Sequence, residues 1–411
     1  MKNLVILGAG TAGTMMANHL VKKLNKKEWQ ITLVDQFKSH YYQPGFLFIP
    51  FGTYQPEDVK RTIDEFLPKG IQLIREKIDR IDKDTDTVIL ENGRNVKYDI
   101  LIIATGCKIA PEEVPGMKGD TWQKNIFDFY TFEGSCALAK KLETWPGGKL
   151  VVHITEMPIK CPVAPLEFAF LADDYFTKKG MRDKVEISYV TPLSGAFTKE
   201  KCTKALEYLL KDKNIKIVPD FAVEHIEGEN GKMFDYGGEV VDFDLLVTVP
   251  TNMGDECILR SGFGDDLNYV PTDKNTLQSK VKENIFVIGD ATNVPASKAG
   301  SVAHFEAEIL TENILKYIEG KPLNPKFDGH ANCFIETGKG KALLIDFNYD
   351  VEPLKGKFPF AGIGPLNLLE ESAFNHFGKM AFKWVYWNML LPARKIPFVT
   401  PTMSRAGKKF D

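Results

Sequence analysis

One thiol stands in a context that favours nucleophilic chemistry. Cys161 lies in the segment KCPVAP at residues 160–165, and Pro165 is of the type favoured at the first position of a helix. A cysteine near a helix N-terminus and beside a lysine is expected to gain thiolate character, and the thiolate is the reactive form. For a single cysteine, however, a buried structural role is the preferred alternative. Cys333, within GHANCFIETG at 329–338, is the second candidate.

A glycine-rich turn near the start of the chain has the spacing of a dinucleotide-binding loop. In GAGTAG, Gly8 would permit the tight turn, Gly10 would let a pyrophosphate approach, and Gly13 would let helix and strand pack closely. The following helix offers unpaired N–H groups to phosphates. Asp35, at the end of the next strand, is placed to accept hydrogen bonds from an adenosine ribose. This context favours a bound dinucleotide over a glycine turn without a ligand.

These residues require a parallel sheet to position them. The sequence predicts a βαβ unit at its start, with a strand in the apolar run at 4–7, a helix that extends through 22–23 and a second strand in the apolar run at 31–34. Continuous apolar runs at 99–106 and 285–291 predict two more buried parallel strands. Between these runs a separate α/β region is predicted, with strands at 149–154 and 185–190 and a helix from about 166 to 179 that Gly180 closes.

The order of these elements predicts an α/β fold with two Rossmann-like dinucleotide-binding domains and a C-terminal membrane-interface segment. The second domain interrupts the first, whose sheet resumes near residue 275. We place the first domain at 1–108 and 275–330, the second at 109–274, and the C-terminal region at 331–411.

Composition excludes several classes of protein. The chain has 411 residues, 44% hydrophobic and 26% charged, with a net charge of −3, which argues against disorder and against a nucleic-acid-binding polycation. Its six cysteines form no CxxC or CxxCH motif, so we expect neither a metal site nor covalent haem. The chain contains no uncharged apolar run of about 18 residues and no recognisable signal peptide, so we expect no membrane-spanning helix and no export.

The middle domain lacks a second glycine fingerprint. After its first strand the chain reads TEMPIKCPVAP at 155–165, where prolines stand in place of glycines. The stiff backbone disfavours close approach of a pyrophosphate, so NAD(P)H binding there is not expected.

The C-terminal segment combines aromatic and basic residues. The side chains of Phe374, Phe377, Ala381, Trp384 and Val385 fall on one helix face, and residues 379–411 contain seven Lys or Arg and one acid. This pattern is typical of a helix lying in a membrane interface. A helix that packs on its own core or in a dimer interface is the alternative.

Together these motifs resemble the sulfide:quinone oxidoreductases, with the flavoprotein subunit of flavocytochrome c sulfide dehydrogenase as a close relative. The resemblance spans nearly the whole chain and rests on GAGTAG, ATG at 104–106, KCPVAP, IGDA at 288–291, KAG at 298–300, NCFIE at 332–336 and the aromatic C-terminus. Its most specific element is the pair Cys161 and Cys333.

The resemblance implies FAD in the first domain, bound without a covalent link because YYQP at 41–44 occupies a place where some relatives carry a flavin-linking cysteine. It implies cofactor contacts from Ala104, Thr105, Gly106, Gly289 and Asp290. Asp290 would hold the ribityl chain, although it could instead cap a helix.

The resemblance also implies that Cys161 and Cys333 form a disulfide or sulfur-bridged pair against the flavin. Sulfide would attack this bridge, leaving a persulfide on Cys161, and Cys333 would pass electrons to the flavin. Glu167 matches a family acid that handles protons, with an ordinary helix residue as the alternative. Lys298 resembles a family lysine near the flavin or quinone, with a surface lysine as the alternative. We assign the other four cysteines to packing.

The electron acceptor implied by the resemblance is a membrane quinone held between aromatic side chains, for which Phe347 and Phe382 are the candidates. The expected reaction is oxidation of sulfide to sulfane sulfur or polysulfide by a peripheral, monotopic membrane protein that binds no nucleic acid and could form a homo-oligomer. The alternatives are an NADH:quinone oxidoreductase of the same fold and a non-catalytic flavin-binding interaction subunit.

Overall fold

The computed structural model describes residues 1–359, 363–397 and 399–409. Its α-helices are α1 (Thr11–Leu20), α2 (Phe132–Thr144), α3 (Ala164–Lys178), α4 (Glu200–Asp212), α5 (Glu256–Ser261), α6 (Gly300–Ile318) and α7 (Ala373–Val385). The strands up to the middle region are β1 (Lys2–Leu7), β2 (Trp29–Val34), β3 (Ser39–Tyr41), β4 (Lys60–Thr62), β5 (Gln72–Ile74), β6 (Ile78–Asp82), β7 (Thr87–Leu90), β8 (Asn95–Lys97), β9 (Ile100–Ile103) and β10 (Cys107–Ile109). The later strands are β11 (Ile126–Phe127), β12 (Gly148–Ile154), β13 (Val185–Val190), β14 (Ile215–Val218), β15 (Val223–Glu227), β16 (Lys232–Asp235), β17 (Val240–Asp242), β18 (Leu245–Val249), β19 (Asn252–Gly254), β20 (Ile285–Val287), β21 (Ala331–Gly338), β22 (Lys341–Phe347), β23 (Gly356–Phe358) and β24 (Leu366–Leu368).

A first parallel sheet has the strand order β20-β9-β1-β2-β5. Residues 4–7 of β1 and all of β9 are buried and apolar on both faces, as expected for a parallel sheet that is covered on both sides. β20 joins this sheet from far along the chain, so the sheet combines strands from both sides of the middle region. α1 ends at Leu20, earlier than predicted, because the N–H groups of Lys23 and Leu24 turn back to the Leu20 carbonyl.

A second parallel sheet, β11-β18-β12-β13-β14, belongs entirely to the middle region. α3 packs on it and begins at Ala164, slightly before the predicted start, with Pro165 in its first turn. Two parallel sheets of this kind confirm the predicted α/β fold. The domain limits stay a prediction.

The chain after residue 330 forms a small sheet of order β21-β22-β24-β23, with β21 and β22 antiparallel and Cys333 opposite Ile345. α3 packs on one part of β21, and α7 packs on β21 and β22. The helix that follows Cys161 and the C-terminal helix therefore both contact the strand that carries Cys333.

The C-terminal aromatic segment divides into two parts. α7 continues into a π-helix at Tyr386–Leu390, whose Tyr386 and Trp387 are buried. The Tyr386 hydroxyl lies 2.6 Å from Thr11 Oγ1 and 2.7 Å from His40 Nε2, and Trp387 stacks on Phe66. This part is core, as the packing alternative predicted. Within the ranges given above, no helix has the length and apolar character needed to cross a bilayer.

Candidate active site

The glycine-rich turn connects β1 to α1 and leaves no room for side chains at two positions. Gly8 has a φ of +94°, and a Cβ there would lie 2.5 Å from the Ala104 carbonyl oxygen. A Cβ on Gly13 would lie 1.8 Å from the Gly8 carbonyl oxygen. A Cβ on Gly10, in contrast, would meet no atom within 4 Å, so Gly10 faces open space at the start of α1. This is the arrangement that a pyrophosphate requires.

Asp35 stands at the carboxyl end of β2 and shapes the same turn. Its Oδ2 accepts a hydrogen bond from the Ala9 N–H at 2.6 Å, and its Oδ1 accepts one from the Phe37 N–H at 2.7 Å. Burial raises the pKa of Asp35, and these two N–H groups oppose the rise. Asp35 therefore has a structural role in the turn, and the ribose contact stays a prediction.

The other expected cofactor residues line the carboxyl edge of the first sheet. Ala104 donates its N–H to the Leu7 carbonyl, and the buried Thr105 hydroxyl has no hydrogen-bond partner. Asp290 lies in the 3₁₀ turn Gly289–Ala291, whereas the next α-helix begins at Gly300. The suggestion that Asp290 caps an α-helix is therefore wrong.

Lys298 is buried beside this edge. Its ammonium donates to the carbonyl oxygens of Asp290 and Thr292 at 3.0 and 2.7 Å and lies 3.9 Å from the Tyr269 ring centroid. Burial lowers the pKa of Lys298, and Asp290 opposes the shift. The surface-lysine alternative is wrong. An open glycine turn, an unpartnered Thr105 hydroxyl and a fixed cation at one edge fit a dinucleotide cofactor.

Cys161 occupies the turn that precedes α3, with a φ of +43°, a left-handed conformation that is uncommon for a residue with a side chain. Its N–H donates to the Lys298 carbonyl at 2.8 Å, which ties the cysteine to the cofactor edge. Burial raises the pKa of the Cys161 thiol to about 12, with a further rise from Glu167. The cation of Lys379 and the N–H groups of Ala164 and Val163 oppose this rise.

The expectation that Lys160 gives Cys161 thiolate character is wrong. The Lys160 ammonium turns to the side-chain oxygen of Gln43 at 3.2 Å, and the cation that acts on Cys161 is Lys379. The helix N-terminus does favour the thiolate, as predicted, but burial outweighs it.

Cys333 projects from β21 into the same buried region. Burial raises the pKa of Cys333, and the nearby Cys161 raises it further. Both residues pack against one hydrophobic cluster, and both are free thiols in this structure. Lys379, whose cation acts on the Cys161 thiol, also donates to the carbonyl of Phe334, the residue after Cys333, so both cysteines lie near one ion pair. The bridge between them stays a prediction. Cys202 and Cys257 are fully buried.

Glu167 is fully buried on α3 and joins three elements. Its Oε1 accepts hydrogen bonds from the Lys379 ammonium at 2.7 Å and from the Glu336 N–H at 2.8 Å. Its Oε2 is buried without a partner. Burial raises the pKa of Glu167, and Lys379 opposes the rise. Glu167 is therefore not an ordinary surface residue of a helix.

Lys379 is a site residue that the sequence analysis missed. It was counted among the basic residues of a lipid-facing segment, yet it lies buried between Glu167 and the Phe334 carbonyl, which it contacts at 2.7 and 2.9 Å. Glu167 and Cys161 raise the pKa of Lys379 despite its burial. Lys408, counted in the same way, is buried against Asp346. A signal was available for Lys379, since it lies on the face of α7 opposite the exposed aromatic residues.

The two quinone candidates lie in different surroundings. Phe382 is half-buried on α7, and its ring centroid lies 6.4 Å from that of Tyr42. Phe347, at the end of β22, is buried with the Lys199 ammonium 5.6 Å from its ring centroid. Among the described residues no ring contact joins Phe347 to Phe382, so a quinone site between them stays a prediction.

The chain matches known proteins over most of its length. Residues 2–152 match the family described as pyridine nucleotide-disulphide oxidoreductase. A mitochondrial sulfide:quinone oxidoreductase of Dictyostelium discoideum is 28% identical over 400 residues, which cover 95% of this chain and 86% of the relative. A type II NADH:quinone oxidoreductase of Staphylococcus aureus is 29% identical over 385 residues, covering 87% and 92%.

The solved structures give the same fold. The sulfide:quinone oxidoreductase of Aquifex aeolicus superposes with a TM-score of 0.78 at 24% identity and covers 94% of this chain and 92% of its own. The chain is a homologue of the sulfide:quinone oxidoreductases, similar to them in sequence and in fold along nearly its whole length.

Proposed function

We propose that this chain oxidises sulfide to sulfane sulfur or polysulfide through Cys161 and Cys333 and passes the electrons through a flavin to a membrane quinone. The observation that carries the proposal is the buried Glu167–Lys379 ion pair, which joins the surroundings of Cys161 and Cys333. Glu167 lies on the helix that follows Cys161 and accepts from the Glu336 N–H, and Lys379 donates to the carbonyl of Phe334 beside Cys333. The similarity to sulfide:quinone oxidoreductases supports the choice of substrate and acceptor.

The chemistry follows from thiol–disulfide exchange. Hydrosulfide attacks the Cys161 sulfur of a Cys161–Cys333 bridge, so that an S–S bond forms on Cys161 as a persulfide and the bridge breaks with Cys333 leaving as a thiolate. A second nucleophile, such as another hydrosulfide, takes the sulfane sulfur. The bridge then re-forms from two thiolates and releases two electrons. Burial raises the pKa of Cys333, and the cation of Lys379 opposes this rise and so stabilises the thiolate that leaves.

The family match and the relatives imply a flavin cofactor, and we propose FAD held without a covalent bond. The segment at 41–44 contains no cysteine, and Tyr42 in it is buried. When bound, FAD supplies a two-electron acceptor beside the thiols. Gly8, Gly10 and Gly13 would hold its pyrophosphate, and Asp290 its ribityl chain.

We propose that the protein associates with the membrane through the outer face of α7. Phe374, Phe377 and Trp384 are 63%, 70% and 62% exposed, although each is a large apolar side chain. Ile363 nearby in sequence is also exposed. Such side chains favour the acyl and headgroup boundary of a bilayer, where a quinone dissolves.

The NADH:quinone alternative is disfavoured by the turn after β12. That turn carries Cys161 and prolines instead of a glycine fingerprint, and its N–H and carbonyl groups are tied to Lys298 and Tyr130. A non-catalytic subunit would not need a buried ion pair beside two thiols.

Stopped-flow mixing under anaerobic conditions tests the proposal. We expect sulfide to bleach the flavin absorbance and a quinone to restore it, with no comparable bleaching by NADH. Rapid bleaching by NADH without a response to sulfide would overturn the proposal in favour of the alternative enzyme.

A further inference from the structure

A second buried acid lies next to the site and has no role in the sulfur chemistry. Glu336 is on β21, three residues after Cys333, and its side chain is only 2% exposed. Its backbone N–H donates to Glu167, while its carboxylate accepts the His376 Nδ1–H at 2.9 and 3.0 Å. Burial raises the pKa of Glu336, and His376 and Lys379 oppose the rise.

His376 connects this acid to the surface. It lies on α7 one turn before Lys379, and its side chain is 34% exposed. Its neighbours along the helix, Phe374 and Phe377, belong to the exposed aromatic face. Lys379, which lies within electrostatic range of both acids, completes a row of ionisable groups from the buried site to solvent.

The proposed reaction requires such a route. Hydrosulfide gives up two electrons and one proton when it becomes sulfane sulfur, whereas a quinone takes up two electrons and two protons. One proton per turnover must therefore come from solvent, and it is consumed when the quinone is reduced. The side chains of Lys379 and Glu167 are only 10% and 0% exposed, so a proton that reaches this pair from solvent needs side chains that carry it inward.

We propose that His376 and Glu336 form a proton relay between solvent at the exposed edge of the His376 side chain and the buried Glu167–Lys379 pair. This inference rests on the proposed function. Both members act through the ion pair and touch neither sulfide nor cofactor, so they are relay residues. Because His376 lies at the rim, its removal leaves the buried pair intact.

The test separates the two halves of turnover in the FAD-loaded enzyme. We expect His376→Ala and Glu336→Gln to slow quinone-driven flavin reoxidation by about 10- to 100-fold. Flavin reduction by sulfide should change by less than about twofold, since it requires no net proton from solvent. Imidazole should restore reoxidation, and the proton uptake seen with a pH-indicator dye, in His376→Ala but not in Glu336→Gln.

His225→Ala is the matched control, because His225 also pairs with a glutamate, at 3.4 Å from Glu224, but lies on the separate sheet β15-β16-β17. The relay would be overturned if both half-reactions slowed equally or if neither slowed. It would also be overturned if imidazole gave no rescue in His376→Ala, or if His225→Ala showed the same effect. If sulfide fails to reduce the wild-type flavin, the proposed function falls and the relay falls with it.

Discussion

Removal of the buried cation in Lys379→Met should destabilise the fold strongly. The Lys379 ammonium contacts Glu167 Oε1 at 2.7 Å and the Phe334 carbonyl at 2.9 Å, and the two charged side chains are 10% and 0% exposed. Breaking a buried pair by removing one partner leaves an uncompensated charge and costs about 3–5 kcal/mol. We therefore expect the free energy of unfolding to fall by about that amount near neutral pH.

The cost should depend on pH in a defined direction. Burial raises the pKa of Glu167, and loss of the opposing Lys379 raises it further. A carboxyl group whose pKa is higher in the folded than in the unfolded state binds more protons when folded, so it favours folding at low pH and disfavours it as pH rises through the folded pKa. The loss of unfolding free energy in Lys379→Met, relative to the wild-type protein, should accordingly be smaller when unfolding is measured at acidic pH.

Urea unfolding with linear extrapolation measures both effects. Lys383→Met is the matched control on the same helix, because Lys383 pairs with Asp58 at 3.5 Å near the surface, and its loss should cost at most about 1 kcal/mol. The double variant Lys379→Met/Glu167→Gln should recover much of the stability, since the neutral amide still accepts from the Glu336 N–H. A cost below about 1 kcal/mol for Lys379→Met, or a cost independent of pH, would refute this reasoning.

Three further predictions concern the proposed membrane face of α7, the glycine turn and the thiol of Cys161. Phe377→Ser should weaken binding to anionic vesicles about tenfold in a sedimentation assay. Tyr208→Ser is the control, because Tyr208 is an equally exposed aromatic residue on α4, and it should not weaken binding. Equal losses of binding in the two variants would contradict the assignment of the face. Gly10→Ala should fold normally but lose FAD affinity, measured by flavin fluorescence, because its Cβ enters the open space proposed for the pyrophosphate. Gly13→Ala should instead lower the Tm, because its Cβ would lie 1.8 Å from the Gly8 carbonyl oxygen. The reverse pattern would count against the site. Alkylation of reduced Cys161 by iodoacetamide should accelerate about tenfold per pH unit from about pH 8 to 11, since only the thiolate reacts and its pKa is about 12, whereas a plateau near pH 8 would contradict the raised pKa.

Local sequence patterns predicted the strands and the glycine turn well, because strand burial and turn geometry depend on neighbouring residues. The apolar runs at β1, β2 and β9 and the glycine spacing of the turn follow from strand burial and backbone geometry, which neighbouring residues determine. The start of α3 next to Cys161 followed from Pro165 for the same reason.

The charge environment of the site depended on distant contacts. Glu167 and Lys379 are far apart in sequence, so helix periodicity could place Lys379 opposite the aromatic face but could not identify its partner. The aromatic pattern likewise shows which residues share a helix face but not whether that face meets solvent. Trp384 is exposed and Trp387 is buried because only the latter reaches Phe66. Truncation after residue 370 would therefore remove core residues as well as the exposed aromatic face of α7.

The most direct test of the account is the response of the flavin to sulfide in cysteine variants that retain FAD. In anaerobic titrations we expect Cys161→Ser and Cys333→Ser to keep the oxidised flavin spectrum after sulfide is added. In Cys136→Ser, which changes a half-buried cysteine on α2, sulfide should bleach the flavin as it does in the wild-type protein. Full bleaching of the flavin by sulfide in either Cys161→Ser or Cys333→Ser would contradict the central claim that these two thiols carry the reaction.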